Sequence, residues 1–202
     1  MLELLDYRRR VSEMYQTIRG IGTDAPGARI CFQQLRNELF RMHPQSPLDE
    51  QQKTTFQGLQ YFDYDPAFRV VARVDTGVKP VRFELDLGED ERATLQQFGQ
   101  VSFQVPSGSG TLGLFWIAGY GGGLFLPFRD TTNGAETYGG GRYLYDTIKG
   151  ADLGATLDEL VLDFNYAYHP SCHYNPRWVC PLAPPQNRLD FSIPVGEMIW
   201  QT

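Results

Sequence analysis

Near Tyr61 the spacing of apolar residues changes from three and four to two, and no other feature restricts the fold of this chain as strongly. Ahead of it, Leu4, Tyr7, Val11, Met14, Tyr15 and Ile18 form one face of an amphipathic helix over residues 2 to 19. Arg8, Arg9 and Glu13 are left for solvent, and Gly20 and Gly22 end the helix. A second helix is predicted from Ala28 to Met42, with Phe32, Leu35, Leu39 and Met42 as its apolar stripe and Pro26 just before its start. His43-Pro44 stops it, because the residue before a proline is pushed out of the α region. Ser46-Pro47-Leu48-Asp49 reads as the start of a short third helix, with Ser46 as the cap.

Beyond Tyr61, alternation predicts strands over Val70 to Val74, Val81 to Leu87, Phe98 to Val105, Leu112 to Ala118, Leu124 to Phe128 and Leu160 to Asn165. Phe191 to Val195 is a weaker candidate. Pro106 to Gly110 reads as a hairpin loop, and Thr76 to Pro80 as another. The class expected is α+β in one domain over residues 1 to 202: N-terminal helices, then a strongly curved, mainly antiparallel β-sheet or barrel-like core.

A formal charge of −6 and the lack of a basic run argue against nucleic acid or an anionic membrane surface as partner. The N-terminus has no apolar signal region after a basic start, and no stretch approaches the length of a membrane span. A cytoplasmic protein is expected. Its three cysteines do not suggest a disulfide framework.

The polar residues suited to chemistry lie between Phe128 and Leu189, crowded among aromatics, glycines and prolines. The runs Gly119 to Gly123 and Gly139 to Gly141 lack the Lys-Ser/Thr of a phosphate loop and the strand-to-helix setting of a dinucleotide fingerprint. They are tight turns in a bent sheet, or places where backbone meets a ligand. In ETYGGGR, Glu136 and Tyr138 share a face of an extended segment, and three glycines let the chain turn to present Arg142. Alternation likewise points Asp163 and Asn165 the same way. These residues could hold a small anionic or polyhydroxylated ligand, with the Arg142 guanidinium as a fork of donors and Glu136 or Asp163 as catalytic acid or base. The competing reading pairs Arg142 with Asp163 or Glu136 to fasten the loop.

The segment HPSCHYNPRWVCP brings Cys172 and Cys180 near His169 and His173. A tetrahedral metal site is imaginable, but the eight-residue spacing lacks the paired knuckles of zinc motifs. A disulfide, two buried thiols, and a Cys172 nucleophile helped by a histidine are the other readings. Cys31 belongs to the core of the second helix. His43 sits beside a helix start that could bind an anion, or simply caps it.

The stretches HPQSPL, YFDYDPAFRV, FRDTTNGAETYGGGRYL and LDFNYAYHPSCHYNPRWVCPLAPPQNRLDFSIPVGE resemble the prokaryotic, bacterial or archaeal, family named domain of unknown function 1684. That resemblance covers nearly the whole chain. It implies one domain of about this length and marks Glu136, Tyr138, Arg142, Asp163, Asn165, Cys172, Cys180 and Asn187 as positions of the family pattern. In that pattern Asn stands at the place of His169 and no histidine is fixed at that of His173, which weakens the zinc and Cys/His readings.

The expected function is therefore binding of a small polar or anionic molecule, with catalysis left open. Tyr138, Arg142, Asn165 and Asn187 would bind it, Glu136 and Asp163 would supply acid or base, and the Cys172 to Asn187 loop would form a wall. Cys172 and Cys180 are the candidate redox or metal residues. No cofactor is specified; a flavin is compatible with the glycines and tyrosines but not demanded. Homo-oligomerisation is left open. The alternative is a noncatalytic interaction module whose exposed Tyr166, Tyr168, Tyr174 and Trp178 form a protein-binding patch.

Overall fold

The computed structural model describes residues 1–21, 25–86 and 92–200. Three helices, α1 (Leu2–Gly20), α2 (Ala25–Met42) and α3 (Glu50–Thr55), precede seven strands: β1 (Arg69–Asp75), β2 (Arg82–Asp86), β3 (Arg92–Val105), β4 (Gly108–Ala118), β5 (Gly123–Phe128), β6 (Arg142–Asp146) and β7 (Glu159–Asp163). All pairings are antiparallel, in the order β6-β5-β4-β3-β1-β7, with β2 also on β3. The class is α+β, three N-terminal helices followed by a curled half-barrel sheet.

Two devices curl the sheet. The register of β3 on β4 slips between Gln97 and Gly99, a bulge that bends and twists the long hairpin. β1 pairs with β3 through Val74 and Asp75, then with β7 through Arg69 to Arg73, so one strand belongs to both flanks. The far edges approach each other where Tyr143 of β6 and Tyr168, beyond β7, exchange backbone hydrogen bonds of 2.8 and 3.1 Å.

The helices cover the concave side. Val11, Met14, Tyr15 and Ile18 of α1 and Ala28, Phe32 and Leu39 of α2 join Leu112, Leu114, Leu126, Leu144 and Leu162 of the sheet in one core. Phe32 is fully buried and packs edge-on against Tyr15 and Tyr166, at 5.8 and 5.1 Å between centroids. Gly150, at φ +88°, lets its turn touch α1: a Cβ there would lie 2.8 Å from the Ser12 amide.

Several expectations change. α2 begins at Ala25, so Pro26 lies in its first turn, where a missing N–H costs nothing. Met42, assigned to the apolar stripe, is exposed. The cap of α3 is Asp49, not Ser46: Asp49 accepts from the Gln52 amide and the Gln52 side chain accepts from the Asp49 amide, a reciprocal box stronger than a lone serine. Ser46 instead donates to the Phe40 carbonyl and accepts from the Leu48 amide. Thr76 to Pro80 is not a hairpin, because β1 and β2 run in the same direction along β3. β7 stops at Asp163, where the aspartate accepts from the Asn165 amide and draws Phe164 to Tyr166 into a 3-10 turn. Arg142 to Asp146 is a strand rather than loop, and residues 191 to 195 are not a strand. Gly22 and Leu87, expected ends of the first helix and second strand, lie outside the described residues.

Candidate functional site: a polar pocket beside a histidine and thiol cluster

The expected site does not assemble as one pocket. Arg142 is fully buried at the start of β6 and binds Asp130 at 2.7 Å, the Ile193 carbonyl at 2.8 Å and the Val195 carbonyl. Its pairing partner is thus neither Asp163 nor Glu136, and its role is to fasten the C-terminal segment to the sheet. Asp130 is held in turn by the Thr132 amide and hydroxyl, products of the tight Asp-Thr-Thr-Asn turn. Burial pushes the Arg142 pKa down, and Asp130 opposes that shift.

Glu136 is exposed, and its carboxylate makes no hydrogen bond or ion pair among the described residues. Asp163 is buried and capped onto Asn165, whose amide also bridges both backbone groups of Asp65 at 2.9 Å. Burial raises the Asp163 pKa, and the Asn165 hydrogen bonds and the Arg69 charge pull against it. Asn187 is fully buried, accepting from the Gly113 amide and donating to the Gly113 and Pro127 carbonyls. It ties the Pro-rich loop across β4 and β5. The triple glycine is a packing device: a Cβ on Gly140 would enter the Tyr138 ring, and one on Gly141, at φ +94°, would meet the Phe128 carbonyl. Gly119 and Gly121 form the β4–β5 turn, at φ +144° and +84°.

The structure gathers a different set of residues. Arg36, midway along α2, stacks between the Phe40 and Tyr168 rings, 4.8 Å from each centroid, and binds Glu197 at 2.9 Å. The same Glu197 oxygen accepts from the His169 amide at 3.2 Å. His169 Nε2 accepts from the Tyr138 amide at 3.1 Å, so the neutral ring carries its proton on Nδ1, 3.8 Å from the other Glu197 oxygen. Burial holds the His169 pKa well below the ordinary range, with His173, Arg142 and Arg36 acting in the same direction. Burial raises that of Glu197. Arg36 Nε, His169 Nδ1 and Glu197 Oε1 are buried with no partner among the described residues.

Arg36 and His169 line a cavity of about 50 Å³ whose other walls include Tyr7 and Tyr15 of α1, Tyr143 and Asp146 of β6, Lys149, Ala151, and the segment Tyr168 to Ser171. The hydroxyls of Tyr7, Tyr15 and Tyr168 make no hydrogen bond among the described residues. Lys149, half-exposed, pairs with Asp146 at 3.5 Å.

On the outer side of His169 lie His173, Tyr138, Cys172 and Cys180. The His173 ring sits 4.5 Å from His169 and 4.9 Å from Tyr138, and its Nε2 accepts from the Trp200 amide. Burial brings its pKa down to about 4. Both histidines use Nε2 to accept backbone hydrogen bonds, and no bond between a cysteine and an imidazole forms among the described residues. No group of three or more His, Cys, Asp or Glu among the described residues is placed to hold a metal. His43 is likewise occupied, accepting from the Gln45 amide and facing Asp6 at 3.2 Å, and it caps no helix, since the α3 cap is Asp49.

Sequence reasoning missed Arg36, Glu197, Asp130 and Lys149. Arg36 carried one signal: it lies four residues after Phe32 and three before Leu39, a charge inside an apolar stripe. No helix among the described residues is long and apolar enough to cross a membrane.

No curated protein matches the chain. Among solved structures it is similar to the solution NMR structure of an uncharacterized protein of Haloarcula marismortui, with 34% identity over 87% of this chain and 94% of that one and a TM-score of 0.61. The family described as "Protein of unknown function (DUF1684)" matches residues 54–198, and the chain belongs to that family.

Proposed function

We propose that the protein binds a small anion of the carboxylate class in the cavity between α1, α2 and β6. The observation that carries this reading is the buried Arg36 guanidinium, clamped by two rings in a side chain that lines the cavity and has an unpartnered Nε. Around it His169 Nδ1–H, the hydroxyls of Tyr7, Tyr15 and Tyr168, and Lys149 can donate, against two acceptors, the unpartnered Glu197 Oε1 and the Asp146 carboxylate that Lys149 faces. Their chemistry matches an acceptor-rich ligand, since charge-assisted donors in a desolvated site recognise carboxylates well. A volume of about 50 Å³ suits a molecule of a few heavy atoms. Arg142, Asn165 and Asn187 then act as the frame, holding the segments that carry the site.

Thermal unfolding with sodium acetate against sodium chloride at equal ionic strength tests this. A saturable rise in Tm with acetate alone supports it, because a ligand that binds only the folded state stabilises with a saturation curve. Equal or linear effects of the two salts would overturn it. The interaction-module reading gains no support: Tyr166 and Tyr174 are buried, and Trp178 donates to the Pro47 carbonyl.

A further inference from the structure

We infer that Cys172 and Cys180 form a redox-active dithiol, with Cys180 as the thiolate that attacks a hydroperoxide and Cys172 as the thiol that resolves it. The two cysteines lie eight residues apart in one loop, which folds back so that the Cys172 amide donates to Cys180 Sγ at 3.3 Å. Each thiol is the largest influence on the ionisation of the other. Both are half-buried, and Pro176, Arg177 and Val179 of the same loop are exposed, so a small oxidant can approach.

The asymmetry comes from the surroundings. Cys180 is pulled down, first by the neighbouring Cys172 thiol, then by the hydrogen bond from the Cys172 amide and the Lys149 charge. Cys172 is pushed up by the neighbouring Cys180 and by burial. The Tyr138 hydroxyl, 3.8 Å from Cys172 Sγ, is itself raised to about 12 by burial and stays neutral. A thiolate is the nucleophile in such chemistry, and a neighbouring thiol completes it.

The steps balance. The Cys180 thiolate attacks one peroxide oxygen, an S–O bond forms as the O–O bond breaks, and the alkoxide leaves as an alcohol after taking a proton. Cys180 is then a sulfenic acid. The Cys172 sulfur attacks it, an S–S bond forms, and hydroxide leaves with the Cys172 proton as water. Two thiols and one hydroperoxide become one disulfide, one alcohol and one water. This chemistry does not depend on the proposed ligand pocket.

The test treats the reduced full-length protein with equimolar tert-butyl hydroperoxide near neutral pH, alkylates at intervals and maps the products by mass. Cys31, on α2 and also half-buried, is the internal control. The expected result is a Cys172–Cys180 disulfide, about 2 Da light, forming at least about tenfold faster than any oxidation of Cys31. With Cys172→Ser, dimedone should trap a sulfenic acid on Cys180. Wild-type mapping needs no variant to fold, and oxidation of the pair no faster than Cys31, or sulfinic acid without a disulfide, would overturn the inference.

Discussion

Arg142 and Asp130 face each other at 2.7 Å with neither side chain exposed to solvent. A guanidinium in such a place is anchored through both terminal nitrogens by a carboxylate and two carbonyls, and its unpartnered Nε is buried. Removing one partner leaves the other charged and buried, which typically costs about 3–5 kcal/mol. Arg142→Ala is expected to lower stability by that amount in urea unfolding, and Asp130→Asn by a similar one. A stable, folded Arg142→Ala protein would show that the pair is dispensable.

Asn187 is the clearest structural amide. Asn187→Ala leaves the Gly113 amide and two carbonyls without partners and should cost about 2–4 kcal/mol. Asn187→Asp should be at least as damaging near neutral pH, since a carboxylate cannot donate to the Gly113 and Pro127 carbonyls. Chemical denaturation of the two variants checks the order.

Glycines of one run should respond differently. At Gly139 a Cβ would meet nothing within 4 Å, so Gly139→Ala should be close to neutral. Gly141→Ala adds a Cβ at φ +94° against the Phe128 carbonyl and should cost at least about 1–2 kcal/mol. Paired thermal melts suffice to compare them.

His173 predicts a pH dependence. Its pKa is about 4 when folded against 6.5 as the ordinary value, so the unfolded chain binds its proton first as pH falls. The contribution of the neutral ring is complete above about pH 6.5 and is lost as pH falls towards about 4, by no more than about 1 kcal/mol per pH unit after allowance for solvent. The ring faces His169, Tyr138 and Tyr174, and protonation also removes the acceptor for the Trp200 amide. The raised pKa values of Glu197 and Asp163 act in the opposite direction, so the comparison is with His173→Gln. Wild type should lose stability relative to that variant across this window, and parallel pH curves would contradict it.

Much of the fold was legible because it rests on local pattern: α1 follows from apolar spacing, and β1, β4 and β5 from short β-rich runs bounded by turn residues. β6 was missed because, unlike the apolar β5, it is short and carries buried charges at both ends, Arg142 and Asp146, whose partners come from elsewhere in the chain or the following turn. Asp49 outcompeted Ser46 because a capping box depends on a pair, Asp49 with Gln52, rather than on one residue. In the site, Tyr138 and the two cysteines do come together, whereas the expected placement of Arg142 failed on its partner: Asp130 lies in a turn whose closeness to β6 arises from tertiary structure. Glu197 reaches Arg36 across 161 residues, and no spacing rule announces such a contact.

The most direct measurement is a titration of isotope-labelled protein with sodium acetate, followed by amide chemical shifts. Saturable shifts centred on Ala151, Tyr168, His169 and Ser171, weakened in a Tyr7→Phe/Tyr168→Phe variant that lacks only two wall hydroxyls, are the expected result. Shifts that never saturate, that scatter over the surface, or that persist unchanged in the variant would contradict an anion pocket at Arg36.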